Sequence, residues 1–199
     1  MSAEMPDCVA RHRYVDRDFG SVVKLLPNEY YVTTGPKVLL TVLGSCVAAC
    51  LLDPYAAVAG MNHFMLPDAG QAGLDHPAAM RYGAHSMDVL VRELVKAGAR
   101  RERLQAKVFG GAAVLPNMPL LNVGDRNAQF VLRYLQAEKI DLYAQDLGGS
   151  YARRVAFLAD SGKVVVRKLR TAQDLAPIQI QETEMLRTFA AVRAEADAL

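Results

Sequence analysis

The chain has 199 residues, of which 52% are hydrophobic and 22% charged, a balance typical of one globular domain with a substantial core. Its net charge of +2 gives no strong attraction to nucleic acid or to a membrane surface. No apolar run approaches the roughly 20 residues of a transmembrane helix, and the first residues lack the apolar centre of a signal peptide. We therefore expect a cytoplasmic protein with no nucleic-acid partner, no membrane insertion and free cysteine thiols.

Residues 1–25 are charged and irregular, which predicts a loosely held lead-in to a domain spanning residues 26–170. Short apolar runs then predict three closely spaced strands, at 37–43, 46–52 and 57–65. Pro54 suits the turn between the second and the third strand.

A glycine-bearing loop is predicted at 68–83, followed by an amphipathic helix that Gly98 ends. The apolar stripe of this helix contains Ala84, Met87, Val91, Leu94 and Val95. A strand at 105–110 breaks at Gly110 and Gly111. A second helix follows, with Asp125 as its N-cap. The apolar face of this second helix contains Ala128, Val131 and Leu135.

Three more strands are predicted, at 140–149, 152–160 and 162–170, the last two joined by a tight turn at 160–162. Residues 171–199 carry five acidic residues and two arginines, and predict an acidic helical extension that either packs on its own domain or docks a partner. The apolar face of this extension contains Met185, Phe189, Val192 and Ala196. Groups of strands separate the helices, which favours an α+β layered sandwich, with mixed or antiparallel sheets and two to three packed helices.

Cys46 stands at the boundary between a polar turn and an apolar strand, in the segment TVLGSCVAACLLDP. The preceding Gly44 permits a sharp turn, which can aim backbone N–H groups at a developing oxyanion. A thiol titrates at about pH 8.5, so an attacking cysteine needs a base, usually a histidine whose tautomer a third group fixes. Cys46 is therefore a candidate nucleophile, whereas Cys50, among apolar neighbours, is expected to fill a strand.

His63 lies near the end of the strand that follows the Pro54 turn. Taken alone, it is more often a satisfied core residue than a base. Sequential strands usually lie side by side, so His63 is expected to come within reach of Cys46 and to act as its base. Thr41 is the nearest hydroxyl that would orient the ring, and spacing alone does not separate that role from that of an ordinary strand residue.

Several segments occur in a fixed order: TVLGSCVAACLLDP, AGMNHFMLP, KVFGGA, GDRN and DLGGSYARRV. Together they resemble the CheD family of chemoreceptor glutamine deamidases, over about residues 29–169. The resemblance implies a cytoplasmic enzyme that converts glutamines of methyl-accepting chemoreceptors to glutamates without a metal or cofactor. It also implies a fold similar to the catalytic domain of cytotoxic necrotizing factor toxins, and the phosphatase CheC as a partner in some bacteria.

The resemblance carries the catalytic cysteine to Cys46 and the histidine to His63. It carries the threonine to Thr41, although this chain is one residue shorter than the T-x-G-x-G-S-C pattern. Rigid counting selects Leu40, which cannot hydrogen-bond a histidine, so Ser45 is the second candidate for the orienting group. Asp125 stands where the family pattern has glutamate.

The expected chemistry is thiolate attack on a glutamine side chain, with the backbone N–H groups of Ser45 and Cys46 holding the oxyanion. Gly110, Gly111 and the loop at 68–83 are candidates for the border of the substrate cleft. Three other functions stay open. They are a non-catalytic adaptor that binds receptors or CheC, a transglutaminase with an amine acceptor, and a redox thiol pair of Cys46 and Cys50.

Overall fold

Two β-sheets carry most of the backbone in the computed structural model, which describes residues 8–66, 77–114, 123–171, 173–180, 183–184 and 187. In chain order the strands are Cys8–Val9 (β1), His12–Asp16 (β2), Gly20–Lys24 (β3), Glu29–Thr33 (β4), Val38–Leu43 (β5), Val47–Asp53 (β6), Val58–Asn62 (β7), Gln105–Gly110 (β8), Asp141–Leu147 (β9), Ala152–Leu158 (β10) and Lys163–Leu169 (β11). The helices are Pro77–Lys96 (α1), Val123–Ala137 (α2) and residues 173–180 (α3), with a short 3-10 helix at Arg101–Arg103.

The first sheet has the strand order β1–β4–β7–β6–β8–β9, and the second has the order β11–β10–β5–β3–β2. Both sheets are mixed: β8 and β9 are parallel in the first, as β3 and β5 are in the second, whereas β6 pairs antiparallel with both β7 and β8. The predicted α+β class with mixed sheets is confirmed. The predicted likeness to the toxin domains stays a prediction.

The first sheet lies between two layers, and each of its faces buries a separate apolar cluster. On one face, α1 and α2 pack against residues such as Val47, Ala49 and Leu51. On the other face, Cys46, Ala48 and Cys50 join residues of the second sheet. Because side chains of a strand alternate between faces, β6 contributes to both clusters and is buried along almost its whole length.

The chain crosses from the second sheet to the first between the end of β5 at Leu43 and the start of β6 at Val47. This crossing consists of Gly44, Ser45 and Cys46. The ends of β8 and β9 lie in register at this end of the first sheet, and the start of β10 and the end of β11 lie there in the second. The fold therefore gathers several loops around the candidate nucleophile.

Four sequence predictions differ from the structure. Residues 8–24 are not an irregular lead-in, because β2 and β3 join the second sheet, with β3 parallel to β5. Four of the five residues of the edge strand β2 are exposed while its backbone pairs with β3, so the charged composition of this segment did not indicate a strand. Residues 77–83 are not part of a loop but begin α1, where Pro77 suits the first helical position.

The other two corrections concern helix residues. Asp125 is not an N-cap, because α2 begins at Val123. Its carboxylate lies in the first turn, where it interacts favourably with the positive end of the helix dipole. Val95 does not belong to the buried stripe of α1, because it is 45% exposed while Leu90 is fully buried. The rest of that stripe is buried or half-buried, and the predicted face of α2 is buried.

The C-terminal extension begins as a helix that packs on its own domain. Thr171 and Asp174 cap the start of α3, with the Asp174 N–H donating to the Thr171 hydroxyl at 3.2 Å. Ile178 is buried against a small cluster that includes Val114 and Leu169. The predicted face at 185–196 lies outside the described residues. Among the described helices, none has the length and apolarity needed to cross a bilayer.

Candidate active site

The turn that delivers Cys46 is held by three hydrogen bonds to consecutive carbonyl groups. Gly44 O accepts from Ala112 N at 2.8 Å, and Cys46 O accepts from Gly111 N at 2.8 Å. Between them, Ser45 O accepts from the side-chain Nδ2 of Asn127 at 2.7 Å. Because Gly111 and Ala112 follow β8 and Asn127 belongs to α2, two separate segments fix the position of Cys46.

Gly110 and Gly111 support this turn because they have no side chains. Gly110 has φ of +114°, and a Cβ on it would lie 2.1 Å from Cys46 O. Gly111 has φ of +66°, and a Cβ on it would lie 2.8 Å from Gly124 O in α2. Only glycine combines these backbone angles with this close approach. Both glycines therefore border the candidate nucleophile, and they do so by contacting its backbone and its supporting helix.

His63 and Cys46 lie on the same face of neighbouring segments. Val47 and Phe64 exchange two backbone hydrogen bonds of 2.9 Å in an antiparallel bridge, which places Cys46 opposite Met65. His63 is then the diagonal neighbour of Cys46, at a typical Cα separation of about 7–8 Å. Both side chains face the second sheet, and they are only 2% and 3% exposed.

Thr41 on β5 bonds to the imidazole of His63 across the gap between the two sheets. Its Oγ1 lies 2.8 Å from His63 Nδ1 and 2.8 Å from Leu25 O. Since a carbonyl only accepts, the single hydroxyl proton goes to Leu25 O, and the hydroxyl oxygen accepts from Nδ1–H. This chain assigns the proton to Nδ1 and leaves the Nε2 of His63 as the basic nitrogen.

The Nε2 atom of His63 is buried and has no hydrogen-bond partner among the described residues. Burial lowers the pKa of His63 from 6.5 to about 4, because the interior disfavours the imidazolium, while the nearby Leu25 carbonyl opposes this change. At neutral pH the ring is therefore uncharged. An uncharged imidazole with an open Nε2 is suited to accept a proton.

The comparisons with known proteins identify the family. The family described as CheD chemotactic sensory transduction matches residues 65–168. A Cupriavidus metallidurans protein is 53% identical over 94% of this chain and 86% of its own length, and one from Bordetella parapertussis is 56% identical over 89% and 84%. Both are named "Probable chemoreceptor glutamine deamidase CheD". The chain belongs to the CheD family.

Among solved structures, the crystal structure of the Bacillus licheniformis hypothetical protein YfiH gives a TM-score of 0.36 at 17% identity, over 60% of this chain and 51% of that one. This likeness is too weak to carry an argument. The family membership of this CheD chain rests on the sequence comparisons alone.

Asn127 is a buried polar residue of this CheD chain to which the sequence analysis gave no role. It is fully buried, donates to Ser45 O and accepts from Leu66 N at 2.8 Å. One amide thus joins the turn before Cys46 to the segment after His63. The available signal was a polar residue beside the apolar face of a helix, in the GDRN segment.

Asn62 ties the other side of His63 to α1. Its Oδ1 accepts from Ala49 N at 3.0 Å, and its Nδ2 donates to Ser86 O at 3.2 Å. This residue is also fully buried. Two buried asparagines therefore hold the backbone on either side of the imidazole, and neither was selected from the sequence.

Cys50 fills the strand as predicted. It is 1% exposed within the cluster between the sheets, and it is a free thiol, as is Cys46. Burial raises the pKa of Cys50 strongly, despite the opposing charge of Lys107, so this thiol stays protonated. The side chain of Cys8 and the part of the predicted cleft loop at 68–76 lie outside the described residues.

Proposed function

We propose that this chain is a protein-glutamine deamidase that converts glutamine side chains of methyl-accepting chemoreceptors to glutamates. The names of its relatives support the substrate. The geometry that carries the chemistry is the Thr41–His63 hydrogen bond, since it leaves the Nε2 of His63 basic on the face that Cys46 shares. Receptor modification sites would meet this enzyme in the cytoplasm.

In the first half of the reaction, Nε2 of His63 takes the proton of the Cys46 thiol, and the sulfur attacks the carboxamide carbon of the glutamine. The C–N bond then breaks, and the imidazolium returns the proton to the departing ammonia. The product is a γ-glutamyl thioester on Cys46. The Thr41 hydroxyl stabilises the transient imidazolium by accepting from Nδ1–H throughout.

The oxyanion of each tetrahedral intermediate requires hydrogen-bond donors, and the amides of Ser45 and Cys46 are our candidates. In a trans peptide the N–H points away from the C=O of the same unit. The carbonyls of Gly44 and Ser45 are bonded to Ala112 and Asn127, so the N–H of Ser45 points away from Ala112 and the N–H of Cys46 points away from Asn127.

In the second half, a water loses a proton to Nε2 of His63 and attacks the thioester carbon. The C–S bond breaks, the Cys46 thiolate recovers the proton from the imidazolium, and glutamate is released. The net reaction consumes one water and releases one ammonia. These steps use side chains and backbone groups of this chain together with water.

The small exposure of Cys46 and His63 restricts what can react. A flexible, unbranched glutamine side chain can enter a narrow opening, whereas a backbone amide cannot. Such an opening would lie at the end of the sandwich where the chain crosses between the sheets. A receptor helix would therefore rest across the surrounding loops and insert one side chain.

The test is incubation of the chain with the cytoplasmic fragment of a chemoreceptor, followed by peptide mass spectrometry. We expect conversion of specific glutamines to glutamates by the wild type and by Cys50→Ser, and none by Cys46→Ala or His63→Ala. Absence of conversion by the wild type would favour the adaptor function, in which the chain binds receptors or CheC without catalysis. Incorporation of a labelled amine in preference to water would instead favour a transglutaminase.

A redox pair of Cys46 and Cys50 is the least supported alternative, because the Cys50 thiol is buried and protonated. Unchanged activity of Cys50→Ser under oxidising and reducing conditions would eliminate it. Binding to the phosphatase CheC is a further part of the proposal, which co-purification of the two proteins would test.

A further inference from the structure

Three cations surround one aromatic ring near the candidate active site. The ring of Tyr151 lies 4.3 Å from the Nζ of Lys168, 4.4 Å from the guanidinium carbon of Arg153 and 5.8 Å from that of Arg170. Cation–π attraction holds such side chains against the ring and reduces their freedom. Tyr151 belongs to the DLGGSYARRV segment, to which the proposed mechanism gives no role.

This group lies at the same end of the sandwich as Cys46. Arg153 is opposite Leu43 on one side and opposite Lys168 on the other, and Leu43 directly precedes the turn that delivers Cys46. In the first sheet, Gly148 N donates to Gly110 O at 2.9 Å, and Gly110 is opposite Val47. The loop carrying Tyr151 therefore borders the support of the nucleophile.

The charge of Arg153 is neutralised by a carboxylate within the protein. Its side chain is fully buried and donates to Asp146 Oδ1 and to Gly148 O, each at 2.7 Å. Arg153 first, and Lys168 to a smaller extent, lower the pKa of Asp146, which therefore stays ionised at neutral pH. This internal pair positions the loop but leaves no charge for a partner.

Lys168 and Arg170 differ from Arg153 because both are exposed. Among the residues that the structure describes, neither forms an ion pair with a carboxylate. Asp125, another exposed acid, lines a groove between α2 and β9 together with Asp146 and Gly148. We call Tyr151, Lys168 and Arg170 the cationic rim.

We propose that the cationic rim binds a carboxylate side chain of the substrate protein that lies beside the target glutamine. This inference rests on the proposed function. Each turnover leaves a carboxylate on the substrate, so a helix with several modification sites presents glutamates near the glutamines still to be converted. On a helix, a carboxylate within about three turns, or about 16 Å, would reach the rim while the glutamine enters the site.

The phenol ring of Tyr151 positions the two exposed cations of the rim. The Lys168 ammonium and the Arg170 guanidinium both lie against this ring, so two donors can meet one carboxylate with less loss of side-chain entropy than two independent chains would suffer. Because the rim is exposed, its attraction is screened by salt and acts chiefly on binding. The expected signature is therefore a change in KM with little change in kcat.

The experiment compares three proteins on a chemoreceptor fragment that the wild type deamidates: wild type, the double variant Lys168→Glu/Arg170→Glu, and Arg167→Glu. Arg167 is the matched control, because it is exposed on β11 directly before Lys168, with its side chain on the other face of the strand. We expect the double variant to raise KM about tenfold or more, with kcat within twofold of wild type, and Arg167→Glu to leave both unchanged. Ammonia release gives the rates.

A second arm changes the substrate. Glutamates within three helical turns of the target glutamine are replaced with alanine. We expect this to raise the KM of the wild type and to leave that of the double variant unchanged. Raising NaCl from about 50 to 300 mM should weaken the wild type more than the double variant.

Two results would overturn the inference while leaving the deamidase function intact: a double variant with wild-type KM, or an equal rise in KM for Arg167→Glu. If Lys168→Glu/Arg170→Glu fails to fold by circular dichroism, Lys168→Gln/Arg170→Gln replaces it, with an expected rise in KM of about threefold. A wild type that deamidates no receptor fragment would overturn the proposed function itself, and the rim with it.

Discussion

Replacing Asn127 with alanine should damage catalysis more than its loss of stability explains. The substitution removes both bonds of the amide and leaves Ser45 O and Leu66 N buried without those partners. An unsatisfied buried polar group costs about 1–3 kcal/mol, so with two such groups the free energy of unfolding should fall by about 2–6 kcal/mol. Domains typically have about 5–15 kcal/mol of stability, and one in the upper half of that range remains folded after such a loss.

The effect on the reaction arises because Asn127 joins the two segments that carry the nucleophile and the base. A displacement of about 1 Å at a reacting group can cost about a hundredfold in rate. We therefore expect kcat for receptor deamidation to fall at least tenfold, with a smaller change in KM. Asn127→Asp separates the two bonds, since it retains the acceptor for Leu66 N and replaces the donor to Ser45 O with a second acceptor.

Urea unfolding measures the stability of each variant, and ammonia release measures kcat and KM. The matched control is Leu135→Ala, a buried position farther along α2, where a similar loss of about 2–5 kcal/mol is expected with kcat unchanged. The reasoning is refuted if Asn127→Ala retains the wild-type kcat, or if Leu135→Ala loses as much kcat for the same loss of stability. Asn127 would then be an ordinary structural residue.

Four further predictions follow from the same geometry. Thr41→Val removes the acceptor for Nδ1–H of His63 and should lower kcat about ten- to a hundredfold, whereas Thr41→Ser should retain most of the wild-type kcat. Equal losses of kcat in both variants would contradict the role of the hydroxyl. Because burial lowers the pKa of His63 from 6.5 to about 4, kcat/KM should fall only below about pH 4–5, and an acid limb at pH 6.5 would contradict this. As the pH falls, His63 is protonated in the unfolded chain before it is protonated in the folded protein. Its contribution to the free energy of unfolding should therefore be constant above pH 6.5 and fall by up to about 3 kcal/mol between pH 6.5 and 4. Urea titrations of His63→Gln should lack this loss. Finally, Gly110→Ala should unfold the protein or abolish activity, because its Cβ would lie 2.1 Å from Cys46 O. The control Gly98→Ala has a similar φ of +107° with open space around it, and thermal melting should show a loss of only about 1 kcal/mol of stability. Equal effects of the two substitutions would show that the backbone angle alone matters.

Local patterns in the sequence were sufficient to predict most of the strands and helices near the site. Apolar runs bounded by turn residues predicted β5, β6 and β7, and the short spacing between β6 and β7 predicted that these strands pair. That pairing is what brings the segment of His63 beside that of Cys46. The strand at 12–16 was missed because it lies in a charged segment and four of its five residues are exposed, although its backbone pairs with β3.

The hydrogen-bond partner of the His63 imidazole could not be decided from the sequence alone. The sequence left Thr41 and Ser45 as alternatives, and rigid counting along the family pattern selected Leu40. The structure gives the contact to Thr41, because β5 lies in the second sheet with this side chain facing the first. Which residue of β5 faces across the gap depends on how the two sheets stack, and no local pattern encodes that stacking.

The sequence by itself determined the α+β class, the pairing of β6 with β7, the candidate pair of Cys46 and His63, and the distinction between Cys46 at a turn and Cys50 inside a strand. Periodicity and turn chemistry act over a few residues, so these features are readable locally. Only the tertiary structure decided the Nδ1 contact of His63, its burial and lowered pKa, the bridge made by Asn127 across 82 residues of sequence, and the cationic rim beside the turn. Each depends on segments that are distant in sequence and meet only when the sheets pack, because desolvation and hydrogen bonding are set by neighbours in space.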